Sequence, residues 1–246
     1  MAAHFRTVAY SRRYARPNPD IEPGVDDQML PHVDDLFAFL EAIGARPAHL
    51  VGHSWGGFIA LLAAIRKPDV VRSLVLMEPP VVSLFVSTPP KPHELLWLLL
   101  RRPKTAAAIM NFGAKVIEPA HQAFSRGDDT EGVRAFARGV LGERYFEEMP
   151  EERKQAVWDN RSSARAQILG AGFPPLRPRD VRSVRAPTLL VSGQNSPVIM
   201  RRTTERLAEL IPNAEQARIA GASHQMQSDN PSVFNDAVLK FLTRRR

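Results

Sequence analysis

No cysteine occurs among the 246 residues. That excludes disulfides, a thiolate metal site and a cysteine nucleophile, and it fits a cytoplasmic protein. Long apolar runs are missing too. The most apolar stretch, Leu95 to Leu100, is far too short to span a bilayer. The first residues, Met1 to Arg6, lack the apolar segment of a signal peptide. His4, His32, His49, His93 and His121 show no metal spacing such as H-E-x-x-H. Charge is unbalanced toward the basic side, with 33 Lys and Arg against 26 Asp and Glu, a net of +7. The basic pairs Arg12-Arg13, Arg101-Arg102, Arg201-Arg202 and the terminal Arg244 to Arg246 are scattered along the chain. A nucleic-acid face would gather them on one element with aromatics interleaved, so a solvated basic surface is expected instead.

The pattern that is present alternates strands with helices. Phe5 to Tyr10 alternates and is predicted to be a strand. The apolar positions Leu36, Phe37, Phe39, Leu40 and Ile43 predict a helix over 34–43, ended by Gly44. Strands are expected at 48–52, 71–77, 187–193 and 215–219, and helices at 56–65, 203–211 and 233–242. Between them, residues 87–179 carry little β signal and read as helices over about 92–101, 104–117, 119–126, 130–141 and 150–169. The reading is therefore α/β, a mostly parallel sheet flanked by helices, from residues 1–86 and 180–246, with 87–179 as an inserted helical cap. Leu95 to Leu100, with Trp97, either lines an apolar pocket or packs as an ordinary helix.

One turn carries chemistry. An apolar run ends at Gly52, Ser54 follows, then Gly56, Gly57 and an apolar helix. Gly52-x-Ser54-x-Gly56 between strand and helix is a nucleophile elbow, which lifts the serine hydroxyl to where a base can reach it. Such a turn brings strand and helix together, so hydrogen-sized side chains are expected at the flanking positions. In a parallel sheet, ligands bind at the carboxyl ends of the strands. Ser54, Glu78 and His224 each follow a strand. His224 would take and return the Ser54 proton, a carboxylate would orient the imidazole, and the Trp55 backbone N–H would serve an oxyanion hole. His53, next to the nucleophile, either faces the pocket or packs beside the elbow.

Gly52-His53-Ser54-Trp55-Gly56-Gly57, the strand Leu74 to Met77, Pro187 to Gly193, and Gly221-Ala222-Ser223-His224 together resemble the α/β-hydrolase superfamily. In most members the acid is an aspartate after the strand that here ends at Gly193. This chain has Gln194-Asn195-Ser196-Pro197 there, and the nearest carboxylates are Asp180 and Glu205. Some members place the acid one strand after the nucleophile, the position of Glu78, so the resemblance assigns it to Glu78. It also implies earlier strands and a His-Gly loop supplying a second oxyanion donor. No such loop precedes Ser54. With Phe5 to Tyr10 read as the strand after the missing one, a gap would open in the sheet beside the elbow strand.

The function these residues imply is a serine hydrolase for an ester-like small-molecule substrate, working through a Ser54–His224–Glu78 triad and an acyl-enzyme. No cofactor and no metal are implied. The expected partner is the substrate, with no nucleic acid and no membrane, and homo-oligomerisation stays open. The competing reading is a truncated or catalytically weak hydrolase-fold protein that acts as a binding module.

Overall fold

The computed structural model describes residues 2–212 and 214–245. Met1, Asn213 and Arg246 lie outside the described residues, including the last arginine of the basic terminus. The elements run α1 (Met29–Ala42), β1 (Ala48–His53), α2 (Trp55–Arg66), β2 (Val71–Met77), α3 (Pro92–Arg101), α4 (Pro103–Phe112), α5 (Glu118–Ser125), α6 (Asp129–Leu141), α7 (Glu143–Glu147), α8 (Glu151–Asp159), α9 (Arg161–Leu169), α10 (Pro178–Arg182), β3 (Thr188–Gly193), α11 (Val198–Leu210), β4 (Glu215–Ile219), α12 (Met226–Asp229) and α13 (Pro231–Thr243). Two compact units divide the chain. One takes Met1–Ala9, Leu30–Leu84 and Pro175–Arg246; the other takes Tyr10–Met29 and Phe85–Pro174. Residues 10–29, read on sequence as part of the sheet-bearing segment, cluster with the helices.

The first unit holds a four-stranded parallel sheet in the order β1-β2-β3-β4. Its central strands are apolar because they are covered on both faces: Ser73 to Met77 of β2 and Thr188 to Val191 of β3 are consecutively buried. Val75, Met77, Leu189 and Val191 pack with Met226 of α12 and with Phe234, Val238, Phe241 and Leu242 of α13. Those α13 positions recur at helical spacing and form one face. Asn230 caps α13, its side chain accepting from the Val233 N–H, and Pro231 sits in the first turn, where no intrahelical N–H is required.

Several expectations change. Phe5 to Tyr10 is not a strand; Phe5 packs against the core just described and edge-on to His49 at 5.6 Å, while Val8 is exposed. Alternation marks two faces but supplies no neighbouring strand to pair with. The gap beside the elbow strand therefore does not arise: among the described residues β1 is an edge strand paired with β2. α1 begins at Met29 rather than 34, since Pro31 is tolerated in a first turn. The helix expected over 104–117 ends in a π turn at Gly113–Ile117, ahead of Pro119, which has no N–H to donate. The helix expected over 150–169 breaks at Asn160, whose side chain bonds the Ala156 carbonyl. In α3 only Leu98 is fully buried; Leu96, Trp97, Leu99 and Leu100 face solvent, so the run is not ordinary core packing.

The helical unit has its own core, in which Ala120, Phe124 and Val133 are buried among Trp158, Val157 and Ile168. Asp128 caps α6 through the Glu131 N–H, a bond of the kind worth about 1 kcal/mol. Gly132 and Gly139 lie on one face of α6. A Cβ on Gly132 would lie 2.6 Å from the Phe124 ring, and one on Gly139 would lie 2.3 Å from both Val116 methyls. Glycine is unfavourable in a helix by about 1 kcal/mol against alanine, and here it is what allows the close approach. Gly139→Ala is expected to destabilise by about 1–3 kcal/mol through overpacking. In a Val116→Ala background the same change should become neutral or stabilising. Urea denaturation of the four proteins of this cycle measures the sign change.

Candidate active site

The sheet brings Ser54 and Glu78 side by side. β1 and β2 are in register at His53 and Met77, so each of the two residues is the first beyond a paired strand end. The Ser54 N–H continues the ladder, donating to the Met77 carbonyl at 2.8 Å. Ser54 has φ 50° and Glu78 φ 45°, and among the described residues these are the non-glycine residues with positive φ. Side chains seldom take this conformation, and backbone strain of this kind concentrates at functional sites. Ser54 then caps α2, and its carbonyl accepts from the Phe58 N–H at 3.1 Å. Trp55 opens the helix, placing its N–H at the positive end of the helix dipole.

The elbow glycines differ in what they do. A Cβ on Gly52 would lie 2.5 Å from the Gly56 carbonyl oxygen and 2.7 Å from the Gly57 Cα. On Gly57 it would lie 2.9 Å from the Gly52 oxygen and 3.3 Å from Pro79. On Gly56 it would meet nothing within 4 Å. The steric need expected at Gly56 is therefore at Gly57, because the Cβ position of Gly57 faces the strand and that of Gly56 faces open space.

Glu78 has no solvent exposure. Its Oε1 accepts from the Gly193 N–H at 3.0 Å and its Oε2 lies 2.7 Å from His224 Nδ1. Burial raises the Glu78 carboxyl to about 7; the Ser196 hydroxyl, the Gly193 N–H and the charge of Arg201 are among the groups that pull the other way. His224 is also buried, which lowers its imidazole to about 4. Burial disfavours the charged form of each partner, and the ring at rest is neutral with Nδ1–H donated to the carboxylate. His224 Nε2 is buried and makes no hydrogen bond.

The histidine loop is held from several sides. The Asn195 N–H donates to the Ala222 carbonyl at 2.8 Å, and the Gly221 N–H donates to Gln194 Oε1 at 2.8 Å. Ser223 donates both its N–H, at 2.7 Å, and its hydroxyl, at 2.6 Å, to Asp229 Oδ2. A Cβ on Gly193 would lie 2.2 Å from the Ser223 oxygen and 2.7 Å from that of Ala222. His53 Nε2 lies 2.8 Å from the His224 carbonyl oxygen.

The structure thus brings Ser54, Trp55, Glu78 and His224 to the carboxyl ends of β1, β2 and β4. Asp180 and Glu205 are elsewhere: Asp180 caps α10, and Glu205 pairs with Arg202 on α11. Gly193, Ser196 and Asp229 escaped the sequence reading, since a small residue or a loop carboxylate gives no periodic signal; the contact between His53 and the His224 carbonyl escaped it as well. Among the described residues no cluster of His, Asp and Glu could hold a metal, and no helix is long and apolar enough to cross a membrane. A groove of about 350 Å³ in the helical unit, between the 21–26 loop and α9, includes none of these residues.

A profile of the family described as alpha/beta hydrolase fold matches residues 2–231. The chain belongs to the α/β-hydrolase fold family. An sn-1-specific diacylglycerol lipase from Mus musculus is 28% identical over 210 residues, covering 85% of this chain and 63% of the lipase, so the chain spans less than two thirds of that relative. A 2-hydroxymuconate semialdehyde hydrolase from Pseudomonas putida is 26% identical over 212 residues, covering 85% of this chain and 67% of the hydrolase. The solved enol-lactonase from Burkholderia xenovorans LB400 superposes with a TM-score of 0.69 at 15% identity, covering 95% of this chain and 78% of that one. That structural likeness is one of fold.

Replacing Gly52 or Gly193 by alanine drives a Cβ into backbone. Each variant is expected to lose several kcal/mol of stability, whereas Gly56→Ala should stay within about 0.5 kcal/mol of the parent. Thermal unfolding of the three variants tests the ranking.

Proposed function

We propose that this α/β-hydrolase is a serine hydrolase for an ester-like carbonyl in a small molecule. The observation that carries the reading is the buried 2.7 Å contact between Glu78 and His224 Nδ1, at strand ends adjoining Ser54. With Nδ1 committed to the carboxylate, Nε2 is the nitrogen left to accept a proton. Ser54 Oγ attacks the carbonyl carbon as its proton passes to His224 Nε2. The imidazolium is stabilised by ionised Glu78, and the oxyanion by the Trp55 N–H. Collapse expels the leaving group, which takes the proton from His224. Water then repeats the sequence on the acyl-enzyme. No cofactor enters this chemistry. The lipase relative, whose substrate is an ester, supports the ester-like carbonyl. We assign substrate choice to the helical unit, the counterpart of the family's cap.

One observation favours the alternative of a binding module. The Ser54–His224 hydrogen bond is not made in this structure. Contacts of this type often tighten only when substrate binds, so labelling decides between the readings. A fluorophosphonate probe is expected to modify the protein and to leave Ser54→Ala unmodified; a folded parent that does not react at Ser54 overturns the enzyme reading. Glu78→Gln should lower kcat by about 10³–10⁴-fold, as loss of a triad carboxylate does, while Asn195→Ala costs far less. The reverse ranking would overturn the assignment of Glu78.

The acid side of the pH profile follows from burial. The Glu78 carboxyl is raised to about 7, so its ionised form, which orients the base, is lost as pH falls through that value. The proton belongs to the buried pair as a whole. kcat/KM for p-nitrophenyl butyrate should therefore rise with pH to a plateau above about 7, with the acid limb displaced in Glu78→Gln.

A further inference from the structure

We propose that His53 is a positioning residue that holds the His224 loop against the nucleophile elbow by donating its Nε2–H to the His224 backbone carbonyl. This rests on the Ser54–His224–Glu78 reading and deepens it.

The geometry fixes the tautomer. A carbonyl oxygen only accepts, so at 2.8 Å His53 Nε2 must carry a proton, and in the neutral ring Nδ1 then lacks one. The two imidazoles also face each other, with centroids 4.5 Å apart and planes tilted by 45°. His53 is the last residue of β1, and the contact joins positions 171 residues apart. The other ties on the histidine loop described above run to the turn after β3, to α12 and, through the His224 ring, to Glu78 at the end of β2. The His53 bond instead ties the base to the strand that carries the nucleophile. Without it, the distance between Ser54 and the base is set only through the rest of the sheet.

His53 is poorly placed to be a second base. Its Nε2 is committed as donor, and burial together with the nearby His224 lowers its pKa to about 3, against the opposing effects of the His224 carbonyl and Glu78. A neutral neighbour also matters when His224 takes a proton, because a charged His53 would set two cations ring to ring. Packing alone does not account for the residue. A phenyl ring would fill the space and leave the His224 carbonyl unsatisfied.

The experiment compares His53→Gln, whose amide nitrogen can reach the position of Nε2, with His53→Asn, whose shorter amide cannot, and with His53→Phe, which keeps a ring but has no donor. Turnover of p-nitrophenyl butyrate and fluorophosphonate labelling are followed beside Ser54→Ala. Misplacing a reacting group by about 1 Å costs about a hundredfold, and that loss in kcat is expected for His53→Asn and His53→Phe, with KM within about twofold of the parent. His53→Gln should recover at least about tenfold of the loss, since it restores the donor. The downfield proton resonance of His224 Nδ1–H should shift or broaden in the Asn and Phe variants and return in Gln. Should Phe not fold, as judged by circular dichroism, the Gln–Asn pair decides. Equal kcat in Gln and Asn, or parental kcat and an unshifted resonance in a folded donor-less variant, overturns the role of His53 and leaves the triad intact. A parent that shows no Ser54-dependent labelling overturns the triad reading itself, and this proposal falls with it.

Discussion

A carboxylate cut off from solvent must find its hydrogen bonds inside the protein, and Glu78 finds them on two different parts of the chain. One oxygen takes the Gly193 N–H at the end of β3, and the other meets His224 on the loop after β4. An ionised group left unpaired in that position would cost several kcal/mol. The arrangement therefore constrains much around it. β2 must stop at Met77, two residues short of the end of β3 in the register, Gly193 must carry no side chain, and the histidine loop must reach the same carboxylate. The left-handed backbone at Glu78 fits the same requirement, since it turns the chain at the strand end where the carboxylate meets its partners.

Much of this was legible in the residues because the signals were local. Val71 to Met77 and Glu215 to Ile219 form strands with the bounds that their apolar and β-prone residues predict. Ser54, Glu78 and His224 stood out by occupying strand ends, a position that has meaning in a parallel sheet. What was not legible depends on neighbours. The alternation of Phe5 to Tyr10 describes two faces, and the fold offers that segment no strand to pair with. Leu95 to Leu100 announces burial by composition, and all but Leu98 of its middle and end lie open. Gly56 belongs to the motif as written, whereas the positions with no room for a Cβ are Gly52 and Gly57. Such a distinction rests on a Cβ direction, which a sequence pattern does not carry.

His53 shows why a residue beside a nucleophile is hard to read. Its neighbours in sequence announce a turn, and its partner is the carbonyl of His224, whose side chain draws attention for a different reason. The two histidines divide the work by atom. In one, the ring nitrogens carry the proposed proton transfer; in the other, a ring nitrogen serves as an anchor on the first one's backbone. Burial depresses both rings, but only His224 has a carboxylate at its second nitrogen to stabilise a positive charge.

The order of the strands has a consequence for how the chain assembles. β1 and β2 pair residues such as His49 and Ser73, close in sequence, with α2 between them. β2 and β3 pair Leu74 with Thr188, across the whole helical segment. Closing the longer loop costs about 1.4 kcal/mol more by chain entropy alone, from the logarithm of the two lengths. Serine and acid thus sit on a unit that can organise locally, while the imidazole comes from the far end of the chain. Contacts of long sequence separation are the slow ones to form. The proposed triad would thus be complete only once the remote strands have docked, which would make it a record of the finished fold.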